Sequence, residues 1–74
     1  YRQGNLPQAI AFLEKAVAKD ENSPILNYHL ATVLDAAGRT GEARIYLEKA
    51  LSTDRPFIGR EDAESLLTRL ESHG

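Results

Sequence analysis

The stretch Ser23–Phe57, SPILNYHLATVLDAAGRTGEARIYLEKALSTDRPF, decides how the rest of this chain is read. It opens on Ser-Pro, a start signal in which Ser caps the helix and Pro takes its first position, where the missing N–H costs nothing. From there Leu26, Leu30, Val33, Leu34 and Ala37 form one apolar stripe, with Ala31 as a small contact point. This spacing predicts a helix to about Ala37. Gly38 stops it, since glycine takes the left-handed conformation that ends many helices. A further helix is predicted over about 40–53, burying Ala43, Tyr46, Leu47, Ala50 and Leu51. Asp54–Arg55–Pro56 ends it.

Shifting the chain against itself by 34 residues extends this unit towards the N-terminus. Seven positions are then identical: Gly4/Gly38, Ala9/Ala43, Leu13/Leu47, Glu14/Glu48, Lys15/Lys49, Ala16/Ala50 and Asp20/Asp54. About three would be expected by chance from ordinary composition. All seven lie within one window, joined by the similar pairs Phe12/Tyr46, Val17/Leu51 and Gln8/Glu42. Ala9, Leu13 and Ala16 share a helix face, and Ala43, Leu47 and Ala50 repeat it. A helix over about 6–19 is therefore expected, burying Ala9, Ile10, Phe12, Leu13, Ala16 and Val17. Asn5 and Gln8 have the spacing of a capping box, and Pro7 sits harmlessly in the first turn. Residues 1–3 read as the last turn of a preceding helix, ended by Gly4. Asp20–Glu21–Asn22 reads as a turn.

After Phe57, Ile58 and Gly59, a fourth helix is expected over about 60–72. Ala63, Leu66, Leu67 and Leu70 are apolar on one side; Arg60, Glu64, Thr68 and Glu71 are polar on the other. Glu61 and Asp62 suit the positive end of the helix dipole and Arg69 the negative end. One-sided amphipathicity of this kind suits a helix that caps an array.

Gly38, Ala43, Leu47 and Ala50, preceded by Leu30–Ala31 and Leu34, resemble the tetratricopeptide repeat (TPR) signature at its 34-residue period. The first copy carries only its second half: Gly4, Ala9, Leu13 and Ala16. The resemblance implies an all-α fold of antiparallel helix-turn-helix units, about four helices in all. Residues 1–23 would be the second half of a truncated repeat, 24–57 a complete repeat, and 58–74 a C-terminal capping helix. The leucines of the last helix align with those of the second at an offset of 36 (Leu30/Leu66, Leu34/Leu70). Three departures stand out. Asn27 occupies a position the family fills with a large apolar or aromatic residue, Arg39 replaces an acidic residue, and the usual proline falls at Pro56 rather than Arg55. With most of a first helix missing, the helix over 6–19 is expected to expose an apolar face that favours self-association.

Length and charge bound the function. At 74 residues, folding buries only about 60% of the chain's unfolded surface, and without cysteine there is neither a disulfide nor a thiolate metal site to add stability. The 9 basic and 11 acidic residues, net charge -2, are dispersed, unlike the clustered Lys and Arg of a nucleic-acid surface. No apolar run approaches the ~20 residues of a membrane span, so direct membrane insertion is not expected. The opening YRQGNLPQ lacks the apolar region of a signal peptide, and the absence of Met suggests a piece of a longer protein.

No catalytic constellation is present. His29 lies mid-helix without an i+4 ligand partner and reads as a partly exposed structural residue; His73 is next to the terminus. No serine stands at an activating distance from a histidine, and the glycines form no phosphate loop. Neither an enzyme nor a cofactor is expected. In the family, the first helix of each pair lines a concave face, so the resemblance implies protein–protein interaction there. On the helix over 24–37 the positions off the core stripe are Ile25, Tyr28, Thr32, Asp35 and Ala36, with Tyr1 and Arg2 extending the surface. Tyr28 is the leading candidate contact, since tyrosine joins apolar area to a polar tip. The same helix has Asn27 but no Lys or Arg, which argues against a clamp for a partner's C-terminal carboxylate. The expected partner is a protein or peptide held in a mixed apolar and polar groove. Two alternatives stand beside it: homo-dimer formation through the N-terminal helix face, and a non-catalytic accessory segment of a larger enzyme such as a glycosyltransferase.

Overall fold

The computed structural model describes residues 5–53 and 57–73, and for His73 the backbone only. Four helices occupy them: α1 (Leu6–Lys19), α2 (Pro24–Ala36), α3 (Thr40–Leu51) and α4 (Arg60–His73). Each packs on the next in chain order. The α2–α3 pair is the most extensive, and α1–α2 and α3–α4 are of comparable, smaller extent. This is the all-α helix-turn-helix order expected. Gly4, Tyr1, Arg2 and the Asp54–Arg55–Pro56 stop lie outside the described residues.

The helix ends follow local chemistry, with one exception. Ser23 has extended backbone and its Oγ accepts from the Leu26 N–H at 3.4 Å, the cap that Ser-Pro predicts. At the other end of α2, Gly38 takes φ +82°. Gly38 N–H donates to Asp35 O at 3.0 Å and Arg39 N–H to Leu34 O at 2.9 Å, the paired bonds of a Schellman motif. The capping box at α1 does not form. Asn5 has φ -103°, ψ 0° and makes no side-chain cap bond, because an N-cap side chain reaches its amide from extended backbone.

The core is a seam of small and branched side chains. Leu30, Ala31, Val33 and Leu34 of α2 and Ala43, Leu47 and Ala50 of α3 are fully buried. Ile10, Leu13 and Val17 of α1 and Ala63 and Leu70 of α4 close it from the two sides. Alanine at 43 and 50 lets α2 approach α3 closely. Leu47, between them, fills the remaining space.

Two expected core residues lie elsewhere. Phe12 is 72% exposed. Among the described residues α1 packs extensively only on α2, whereas α3 has α2 and α4 as neighbours, so the Phe12 side of α1 has no facing helix. Ala37 is exposed, because the chain has already left the helix for the turn at Gly38. Ala9, Leu26, Tyr46, Leu51, Leu66 and Leu67 are half-buried and pack against the core.

Candidate functional site

The predicted groove residues share one side of α2, and two of them, Tyr28 and Asp35, reach the segment leading into α4 and α4 itself. Ile25 is 37% exposed and Ala36 is exposed, while Tyr28, Thr32 and Asp35 are half-buried. Thr32 Oγ1 donates to the Tyr28 carbonyl at 3.0 Å, a bond within the helix that occupies its proton. Tyr28 rests on the segment that leads into α4. Its ring centroid is 6.0 Å from that of Phe57 and 5.8 Å from that of His29. Gly59, at φ +94°, brings its backbone so close that a Cβ there would lie 2.8 Å from Tyr28 Cε2. Asp35 reaches the far end of α4, where Arg69 Nη2 donates to Asp35 Oδ2 at 2.9 Å. α2 is therefore linked to α4 at two points, by Tyr28 at Gly59, just before α4, and by Asp35 at Arg69.

The offset of 36 that aligns the leucines also pairs the groove positions of α2 with residues of α4: Ile25 with Glu61, Tyr28 with Glu64, Thr32 with Thr68 and Asp35 with Glu71. All four α4 residues are exposed. At this offset the α2 positions carry Ile25, Tyr28, Thr32 and Asp35, and the α4 positions carry three glutamates and Thr68. A depression of about 410 Å³ at the start of α4 is lined by Phe57, Gly59, Arg60, Glu61 and Asp62.

Several roles have no counterpart in the sequence reading. Asn27 is 1% exposed. Its Nδ2 donates to the Glu21 carbonyl at 3.0 Å and the Ser23 carbonyl at 2.9 Å, pinning the α1–α2 turn to α2. It stands in the core and not in the groove, so it has no part in a carboxylate clamp; its Oδ1 has no hydrogen-bond partner. Arg60, read as part of a solvated face, donates from Nη1 to the Thr53 carbonyl at 2.9 Å. This fastens the start of α4 to the end of α3. Arg39 forms a two-point ion pair with Glu42, Nε to Oε1 at 2.8 Å and Nη2 to Oε2 at 2.6 Å. The guanidinium bond holds the Glu42 carboxyl below its ordinary range and raises Arg39 in turn. A basic residue after Gly38 is thus accommodated by an acidic one three positions on. The proximity of two such residues on one helix turn is a signal that local spacing does carry.

Among the described residues no group of His, Asp and Glu could hold a metal ion, and no helix is long and apolar enough to cross a membrane. His29 is exposed. A second depression, of about 500 Å³, lies where the α1–α2 turn meets the end of α3, lined by Glu21, Asn22, Lys49, Ser52 and Thr53. Its charges are mixed and do not converge on a point.

A two-helix unit repeated at 34 residues, a Schellman turn at Gly38 and alanines at the tight crossings define a helical-repeat protein. A family model for the tetratricopeptide repeat matches residues 1–70, and the chain belongs to that family. No curated protein and no solved structure gives a significant match. Tetratricopeptide repeats are in general protein–protein interaction modules and typically non-catalytic.

Proposed function

We propose that this chain binds a peptide or helix of a protein partner across α2 and α4, using Ile25, Tyr28, Thr32, Asp35 and Ala36. In this reading residues 24–57 are one complete repeat, 1–23 the second half of the repeat before it, and 58–74 the capping helix that supplies the groove's second wall. The observation that supports it is the exposure of Ile25 and Ala36 on α2 and of Glu61, Glu64 and Glu71 on α4, two helices joined by the Asp35–Arg69 ion pair. An apolar side chain of the partner enters beside Tyr28, over the depression at Phe57 and Gly59. Basic residues on either side of it face the α4 carboxylates. Such a partner is an amphipathic segment with a large apolar anchor, the helix-in-groove mode of recognition. Tyrosine at the anchor position suits it, since aromatic residues dominate interface energetics.

Selection of 12–20-residue peptides from a displayed library against the 74-residue chain tests this, followed by affinity measurements on variants. Ile25→Asp and Ala36→Glu replace exposed residues and leave helicity intact; each lowers affinity for selected peptides at least about tenfold, or ~1.4 kcal/mol. Tyr28→Ala lowers it further. Phe12→Ser, on the far side of α1, leaves it unchanged. Peptides that bind all three groove variants as well as the parent chain would refute the assignment.

A further inference from the structure

We infer that Arg60 is a positioning residue that holds the Tyr28 ring in place through Phe57; this rests on the reading above that makes Tyr28 a partner contact. Tyr28 stands on α2 and Arg60 opens α4. The link between them starts at the end of α3. The last carbonyls of a helix have no partner within it, and Arg60 supplies one from outside. Its Nη1 donates to the Thr53 carbonyl at 2.9 Å and its Nη2 to the Leu51 carbonyl at 3.5 Å. Its Nε lies 4.0 Å from Glu64 Oε2, one turn further along α4. A guanidinium presents its donors in a rigid plane, so these contacts fix its orientation as well as its place.

The guanidinium so fixed stands over the Phe57 ring, its Cζ 5.9 Å from the centroid, a distance at which a cation is drawn to an aromatic face. The Arg60 backbone N–H also donates to the Phe57 carbonyl at 3.2 Å, so the ring and the backbone of Phe57 are both tied to one residue. Phe57 precedes α4 and belongs to no helix, and its ring takes its place from these contacts. It meets Tyr28 with centroids 6.0 Å apart and planes inclined at 49°, within the range of favourable aromatic pairs. Gly59 brings its backbone against the same Tyr28 ring. Tyr28, Phe57 and Arg60 are all half-buried, packed together yet reachable from solvent. The route begins and ends on one pair of helices. α3, whose end carries the anchoring carbonyls, packs most extensively on α2, which carries Tyr28. The ring is thereby held relative to the helix it stands on, and a partner is spared the cost of ordering it.

Nuclear magnetic resonance on the 74-residue chain tests the placement, and affinity for a peptide selected against the parent chain tests its consequence. Arg60→Met keeps an apolar stem and removes the donors. Arg60→Lys is milder, keeping the charge and losing the plane. Phe57→Leu keeps apolar bulk, removes the ring and spares the bonds of Arg60 to the carbonyls. Circular dichroism checks that the helices persist. In the free chain Arg60→Met is expected to move the Tyr28 ring proton shifts towards those of Phe57→Leu, and Arg60→Lys to move them less, while Tyr46 on α3 keeps its own. A released ring that takes the binding pose about a fifth of the time lowers affinity about fivefold, the loss expected for Arg60→Met and for Phe57→Leu. In a Tyr28→Ala background neither substitution is expected to lower affinity further. Tyr28 signals unmoved by Arg60→Met, or by Arg60→Lys where Arg60→Met does not fold, overturn the proposal. So does an affinity loss that persists without Tyr28, since it would come from α4 at large. The peptide reading fails separately: peptides that bind Tyr28→Ala as tightly as the parent chain refute it, and the ring shifts then decide the placement of Tyr28 on their own.

Discussion

Gly59 holds its backbone against the Tyr28 ring so closely that a Cβ on it would stand 2.8 Å from Cε2. The glycine is thus required twice, for its φ of +94° and for the space. Gly38 offers the comparison, since it has φ +82° and a Cβ placed on it would meet nothing within 4 Å. Gly38→Ala is expected to cost about 1 kcal/mol, the conformational term alone. Gly59→Ala adds a steric term of about 1–3 kcal/mol. Urea unfolding of both variants measures the difference, and in a Tyr28→Ala background that difference should fall towards zero. If it persists there, Tyr28 is not the obstacle.

Asn27 serves the fold through its side-chain N–H groups. Asn27→Ala removes two hydrogen bonds to the Glu21 and Ser23 carbonyls, and a loss of about 1–3 kcal/mol follows. Asn27→Asp is expected to be worse, since it places a carboxylate against two carbonyl oxygens inside the core. Chemical denaturation of the two variants checks the order. Hydrogen exchange should show the added opening at the start of α2 first.

The ion pair between Asp35 and Arg69 joins the ends of α2 and α4, with side chains 24% and 58% exposed. Solvent reduces such a pair to a coupling of about 0.2–1 kcal/mol. A double-mutant cycle over Asp35→Ala and Arg69→Ala should return a value in that range, shrinking as salt is raised. A larger, salt-insensitive coupling would mean that the pair is more secluded than its exposure indicates.

Glu42 gives a pH signature. Its folded carboxyl is held below the ordinary 4.5, first by the hydrogen bond from Arg39. A depressed carboxyl stabilises the fold above its unfolded value and loses that contribution as pH falls through its folded value. Arg39→Ala should therefore raise the Glu42 midpoint towards the ordinary range in a carbon-detected NMR titration. It should also flatten the acid limb of the stability profile by lowering stability slightly at neutral pH, where the pair is charged but solvated, and leaving stability unchanged at pH values below the folded midpoint. An unchanged midpoint would show that Arg39 is not its cause.

The repeat is legible in the sequence but the roles of its polar residues are not, and the reason is physical. The positions of α2 and α3 can be read because Leu30, Leu34, Ala43, Leu47 and Ala50 obey helical spacing and Gly38 suits the left-handed turn that ends a helix. Phe12 is misplaced when periodicity is equated with burial. The side that carries Phe12 and Ala16 is apolar in sequence whether or not a neighbouring helix covers it. Asn27, Arg60 and Arg69 escape for a different reason. Their partners are the Glu21, Ser23 and Thr53 carbonyls and the Asp35 carboxylate. Bonds to backbone and to distant helices leave no mark in local spacing. The proposed strip on α2 is visible as what remains once the core stripe is removed, but the Asp35–Arg69 link to α4 spans 34 residues and is not.

The most direct test of the proposed interaction surface is a map of backbone amide shifts on titrating a selected apolar-basic peptide into the isotope-labelled chain. The largest changes are expected at Ile25, Tyr28, Thr32 and Ala36 on α2 and at Glu61 and Glu64 on α4, with α1 near Phe12 undisturbed. Shifts centred on Phe12, Lys15 and Lys19, with α2 silent, would contradict the groove.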